Sequence, residues 1–168
     1  MGVTASFRSV TAEQLGRARQ NPSYAARLLN ETPEGDETPL DSNLSVQRRT
    51  FSIQRFSLDL WEGLVWDAPV NVFMGGDYLD LDWDYDEEDD EEDEDEDPSQ
   101  AMELDPDLIA TLADWLRGVR FRDVCDEADD DGFVHDDYGF VSEQDFEEFR
   151  TFILAVAERG EGALFHFG

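Results

Sequence analysis

The most suggestive ligand spacing in this 168-residue sequence is Glu127-Ala-Asp129-Asp-Asp131-Gly132-Phe-Val134-His-Asp-Asp-Tyr138. A calcium loop needs oxygen ligands at its first, third and fifth positions, glycine at the sixth and a bidentate Glu at the twelfth. Setting Gly132 at six places Glu127, Asp129 and Asp131 at ligand positions and Val134 at the usually apolar eighth. Tyr138 then fills the twelfth position and brings no carboxylate. Glu127 also stands where Asp is usual. The expectation is an acidic loop with a glycine turn that binds divalent cations weakly through Glu127, Asp129 and Asp131.

Other reactive residue types are sparse. His135 and His166 are the only histidines, and Cys125 is the only cysteine. Asp123, Asp126 and Glu127 around Cys125 oppose the thiolate that nearby Arg120 and Arg122 would favour. Arg48, Arg49 and Arg55 form the one local basic cluster, expected to pair with the chain's own carboxylates. There is no G-x-S-x-G and no glycine-rich phosphate cradle. With 43 acidic residues, a close pair of carboxylates is inevitable in any fold and signals nothing by itself. No catalytic residue is singled out and no cofactor is implied.

The charge is the dominant feature. The chain carries 43 Asp and Glu against 12 basic residues, all of them Arg, for a net charge of −31. Such a chain lacks the basic groove that direct nucleic-acid binding needs and is repelled by anionic membranes. From Asp77 to Asp97, 16 of 21 residues are acidic and none is basic, which leaves −15 on the other 147 residues. Like-charge repulsion predicts disorder over Glu87–Asp97, within a low-complexity insertion at 77–100. Its front end mixes aromatic and acidic residues: Tyr78, Asp80, Asp82, Trp83, Asp84, Tyr85 and Asp86. From Leu79 to Asp86 the alternation is strict, which suits a short edge strand or an adhesive disordered motif. These seven residues are the candidate contact for a partner. Fully extended at about 3.3 Å per residue, the run would place one charge every ~4 Å. That is sparser than the one charge per about 1.7 Å of duplex DNA.

Elements that would carry these residues follow from local patterns. Val3, Ala5 and Phe7 alternate with Thr4, Ser6 and Arg8 as a first strand. Thr11-Ala-Glu-Gln14 is a capping box that opens a helix to about Arg19. Asn21-Pro22 caps a second helix. Val46–Phe56 suits a strand, Ser57–Val65 a helix, and Ala101–Leu104 a strand. Asp105-Pro106 opens a helix with Leu108, Ile109, Leu112, Trp115 and Leu116 on one face. Asp123–Tyr138 is expected to be loop. Ser142 opens the last helix, striped by Phe146, Phe149, Ile153, Val156 and Ala157 and ended by Arg159-Gly160. Ala163–Phe167 forms a final strand. The expected fold is a single α+β domain over residues 1–168, with helices packed on a small mixed sheet that includes both terminal strands. With one cysteine there is no internal disulfide, so a reducing, cytoplasmic compartment is expected. No stretch is long and apolar enough to span a membrane. Gly2 and Ser6 satisfy the loose myristoylation pattern, but the Val3–Phe7 alternation favours a strand there.

Both ends of the chain resemble a known family. MGVTASFRSVTAEQLGRARQNPSYAARLL resembles the opening of the YfbM-like family of small bacterial proteins, a domain of unknown function. LDLWEGL at 58–64 is similar to its Trp-centred helix, and LDPDLIATLADWL at 104–116 to its strand-to-helix turn. EEFRTFILAVAERGEGALFHF resembles its last helix and terminal strand. The resemblance implies a compact cytosolic α+β domain and assigns no catalytic residue. Family members tend to have a glycine-rich stretch with Tyr-Gly-Pro and an Arg before the central strand. Here the acidic run and Asp97-Pro-Ser-Gln-Ala101 stand in that place.

The composition favours a non-enzymatic acidic protein that engages a basic protein partner, as an inhibitor or immunity-like factor. The alternatives are a small enzyme of unknown reaction, with a pocket around Trp61 and Trp115, and a surface whose acidity reflects only a salty habitat. Oligomeric state is not legible.

Overall fold

Most helix starts are fixed by one short polar side chain. In the computed structural model, which describes residues 3–30, 50–56, 77–81, 100–124, 133–135 and 140–167, β1 (Val3–Val10) ends at Thr11 and α1 (Ala12–Ala18) begins. Gln14 N–H donates to Thr11 Oγ1 at 3.2 Å, and Thr11 N–H donates to Gln14 Oε1 at 2.9 Å. This reciprocal box satisfies two amides that the first helical turn leaves without partners. Asn21 starts α2 (Pro22–Asn30) by accepting from Tyr24 N–H at 3.0 Å. Asp105 starts α3 (Pro106–Gly118) by accepting from Leu108 N–H at 2.7 Å.

The remaining elements are β2 (Thr50–Phe56), β3 (Asp77–Asp80), β4 (Gln100–Leu104), the short α4 (Phe121–Val124), β5 (Phe133–His135), β6 (Phe140–Ser142), α5 (Glu143–Glu158) and β7 (Gly162–Phe167). Ser142 and Asp145 form a second capping box at the start of α5. At its other end Gly160 turns with φ +66, Gly160 N–H reaches Ala157 O at 3.0 Å and Glu161 N–H reaches Val156 O at 3.2 Å. That pair of bonds is the Schellman arrangement, and its positive φ favours glycine.

The main sheet has the order β2–β1–β7–β4–β3. The fold is α+β as expected, but every ladder of the sheet is antiparallel, so the sheet is not mixed. The reason lies in the crossovers. α1 and α2 lie between β1 and β2 in the chain, and α3, α4, β5, β6 and α5 lie between β4 and β7. Each time the chain re-enters beside the strand it left, running the opposite way.

Alternation along the strands feeds two apolar layers. Phe7, Met102, Leu104, Ala163 and Phe165 face α3 and α5, where they meet Ile109, Leu112, Leu116, Phe146, Phe149, Ile153 and Val156. The Phe7 ring lies 4.6 Å from Phe165 and 5.6 Å from Phe149, centroid to centroid, in tilted contacts. The intervening positions, Val10, Leu79, Leu81, Ala101 and Leu164, face the opposite way, against Leu15 and Ala18 of α1 and Tyr24, Ala25 and Leu28 of α2. The sheet is therefore the middle of three layers. Trp115 and Leu108 are partly buried at the margin of the α3–α5 layer.

The expected loop over Asp123–Tyr138 needs correction. α4 reaches into its start, and β5 pairs with β6 through Phe133↔Ser142, Val134↔Val141 and His135↔Phe140. Each strand holds a short apolar run in the sequence, Phe133-Val134 and Phe140-Val141. The predicted helix at Ser57–Val65 lies outside the described residues.

Ser9 is fully buried on the β1 face toward α3 and α5, and its hydroxyl has no hydrogen-bond partner among the described residues. A buried unsatisfied hydroxyl is destabilising. Ser9→Ala is expected to raise unfolding free energy by about 1 kcal/mol in urea titration. An unchanged or lower midpoint would show that the hydroxyl is satisfied in solution.

Candidate partner-binding edge

The acidic run starts on one strand of an antiparallel pair and ends just before the other. β3 and β4 pair through Asp77↔Glu103, Tyr78↔Met102, Leu79↔Ala101 and Asp80↔Gln100. At the open end Gln100 Nε2 donates to Asp80 Oδ1 at 3.0 Å. The first residues of the 77–100 segment therefore belong to the sheet, and Gln100 opens β4. The strict alternation from Leu79 explains why: Leu79 and Leu81 are buried in the α1–α2 layer, while Asp80 between them is exposed. Of the seven candidate contact residues, Tyr78 and Asp80 sit on β3. Tyr78 is 61% exposed, in contrast to the buried aromatics of the layers. Asp82, Trp83, Asp84, Tyr85 and Asp86 lie outside the described residues.

Beneath this edge is an ion pair that no local pattern announced. The Glu103 side chain is 4% exposed on β4, facing the α1–α2 layer. Arg19, the C-cap residue of α1, donates from Nε to both Glu103 oxygens at 3.0 Å, and its Nη2 also reaches Oε1. A near-buried carboxylate is tolerable only when paired and hydrogen-bonded. The hydrogen bond to Glu103, then its charge, raises the Arg19 pKa, with smaller contributions from the charges of Asp105 and Asp77. Arg19 is thus paired with Glu103 alone, and Asp77 and Asp80 make no ion pair among the described residues. The sequence signal for Glu103 was a single acid in the otherwise apolar Ala101–Leu104 strand.

The other candidates are dispersed. Glu127, Asp129 and Asp131 lie outside the described residues, as do Cys125, Arg48, Arg49 and Trp61. Among the described residues, no group of three His, Cys, Asp or Glu side chains could hold a metal ion. His135 is on β5 and His166 on β7, in different sheets. Arg55 is on β2, at the far edge of the main sheet from β3. Among the described residues, no helix is long and apolar enough to cross a membrane.

No family model, curated protein or solved structure matches this chain.

Two expectations follow from these side chains. Arg19→Ala strands the Glu103 carboxylate in the interior, whereas Glu103→Leu lets the half-exposed Arg19 turn into water. Urea titration is expected to show a loss of about 2–3 kcal/mol for the first and under about 1 kcal/mol for the second. Equal losses would mean that the pair acts through packing alone. His166 is half-buried, opposite Ser6 in the β1–β7 ladder, and burial lowers its pKa. The unfolded chain then binds the proton more readily than the folded one. Stability should be full above the ordinary imidazole value near pH ~6.5, fall as pH drops through it, and level off below the folded value. His166→Gln should flatten this part of the stability profile relative to wild type. Parallel profiles between pH ~7 and ~5 would exclude the effect.

Proposed function

We propose that this chain is a non-enzymatic acidic binding protein with a YfbM-like domain, engaging a basic protein as an inhibitor or immunity-like factor. Support comes chiefly from one observation. The segment with 16 acids in 21 residues begins on β3 and connects it to β4, so half of the net charge of −31 is attached to one edge of a folded sheet. Concentrating like charge at one place produces a directed field, and that field accelerates encounter with an oppositely charged surface. A uniformly acidic surface would raise solubility without choosing where a partner lands. Tyr78 supplies an aromatic surface at the root of the charge, and aromatic residues are enriched where interfaces gain most of their energy.

The test compares the full chain with a variant whose 82–97 segment is replaced by a neutral Gly-Ser segment of equal length. Both are immobilised and exposed to purified basic proteins and to whole lysate, at low and at molar salt. The expected outcome is retention by the full chain at low salt, release at high salt, and loss in the variant. Equal retention by both chains, or none by either, overturns the proposal. A full chain that unfolds at low ionic strength would instead favour adaptation to a salty habitat.

A further inference from the structure

We infer that the outer edge of β3 receives a basic extended strand of the partner by strand addition, with backbone pairing at Asp77–Asp80. This rests on the proposed binding of a basic protein and specifies how that partner docks. β3 is the last strand of the main sheet, its inner edge is taken by β4, and no other strand pairs with it among the described residues. An edge strand presents backbone N–H and C=O groups that another chain can complete. The side chains on β3 decide which chain. Asp77, Tyr78 and Asp80 are exposed, while Leu79 is buried.

Charge complementarity selects the occupant. A second copy would set Asp77 and Asp80 against their own kind and bring two molecules of net charge −31 together. Like charges facing one another across a ladder are destabilising, and opposite charges are stabilising. A neutral strand would leave both carboxylates without a counter-charge. A strand bearing Arg or Lys on the Asp80 face would supply one there. Tyr78 and Asp80 share one face of β3, since strand side chains alternate. An Arg on that face of the incoming strand can pair with Asp80 and lie on the Tyr78 ring. The opposite face carries exposed Asp77 beside buried Leu79 and Leu81, and an apolar residue fits it opposite Leu79. The favoured strand thus alternates basic and apolar residues. The acids that protect this edge from neutral and acidic strands are the ones that admit a basic one.

The test uses the full chain and a fluorescent ten-residue peptide of alternating Arg and Val, at low salt. Its control is the same peptide methylated at every backbone nitrogen, which keeps charge and side chains but removes the ladder donors. Anisotropy titration is expected to give about tenfold weaker binding for the methylated peptide. Hydrogen exchange should show that the unmethylated peptide protects the amides of residues 77–80. Equal affinities, or protection at residues 50–56 instead, overturn strand addition while leaving an acidic binder of basic chains. If neither peptide binds, and polyarginine does not bind either, both proposals fall.

Discussion

The fold depends on β7 having both edges and both faces occupied. β1 pairs with one edge and β4 with the other, while Phe165 enters the α3–α5 layer and Leu164 the α1–α2 layer. Among the described residues, the two sides of the main sheet are joined through these six residues, the last of its strands in chain order. Gly162 lets the strand dock, since a Cβ there would lie 2.6 Å from Leu104 O. A backbone oxygen cannot move aside as a flexible side chain can, so the close approach of β7 to β4 calls for glycine at this point. The first and last strands must therefore find each other before either layer is complete. Contacts this distant in sequence carry a loop-closure penalty that local helix caps do not.

The two layers are built from different materials. The α3–α5 layer is aromatic, with Phe7, Phe121, Phe146, Phe149, Phe152 and Phe165 in one cluster. The α1–α2 layer is mainly aliphatic around Tyr24, with Arg17 over the Tyr24 ring at 4.2 Å and the Arg19–Glu103 pair at its edge. β3 belongs to this second layer through Leu79 and Leu81. The edge strand is therefore held by its ladder with β4 and a few aliphatic contacts, with the Arg19–Glu103 ion pair on the neighbouring strand. Arg suits that duty better than Lys, because its planar fork can engage a carboxylate at two points. Arg150–Glu147 and Arg159–Glu161 repeat the pairing on and after α5. Each such pair spends a scarce cation on the body of the domain, and no described Arg forms an ion pair with Asp77 or Asp80.

What the sequence reveals here divides by distance along the chain. Thr11, Asn21, Asp105, Ser142 and Gly160 all perform the terminal roles their types and spacing imply, because a cap is decided within a few residues. The stripes of α3 and α5 are legible for the same reason. Arg8 is not. Alternation with Phe7 assigns it to a polar face, yet it is 4% exposed, because α1 and α2 cover that face of the sheet. Period two reveals which residues share a face and says nothing of what covers it. Glu103 is similar, since its partner Arg19 is 84 residues away. β5 and β6 are three residues each and embedded in acids, too short for periodicity to register. At the candidate edge, the phase of Leu79, Asp80 and Leu81 is legible. That β3 forms the sheet boundary is not, because strand order depends on β7 closing between β1 and β4.

Acidic residues at a sheet edge are usually explained as protection against aggregation, and that explanation covers Asp77 and Asp80 in part. It does not cover Tyr78. A protective edge gains from small or charged side chains, whereas a 61% exposed aromatic adds apolar surface at the place where pairing is to be prevented. Protection also needs only a charge or two, and the segment that starts on β3 supplies sixteen. Repulsion of unwanted strands is saturated long before that number is reached, while attraction for a basic surface continues to grow with charge and falls with salt. An exposed aromatic at the root of so large a charge is the combination expected of a surface that must repel most chains and hold one kind.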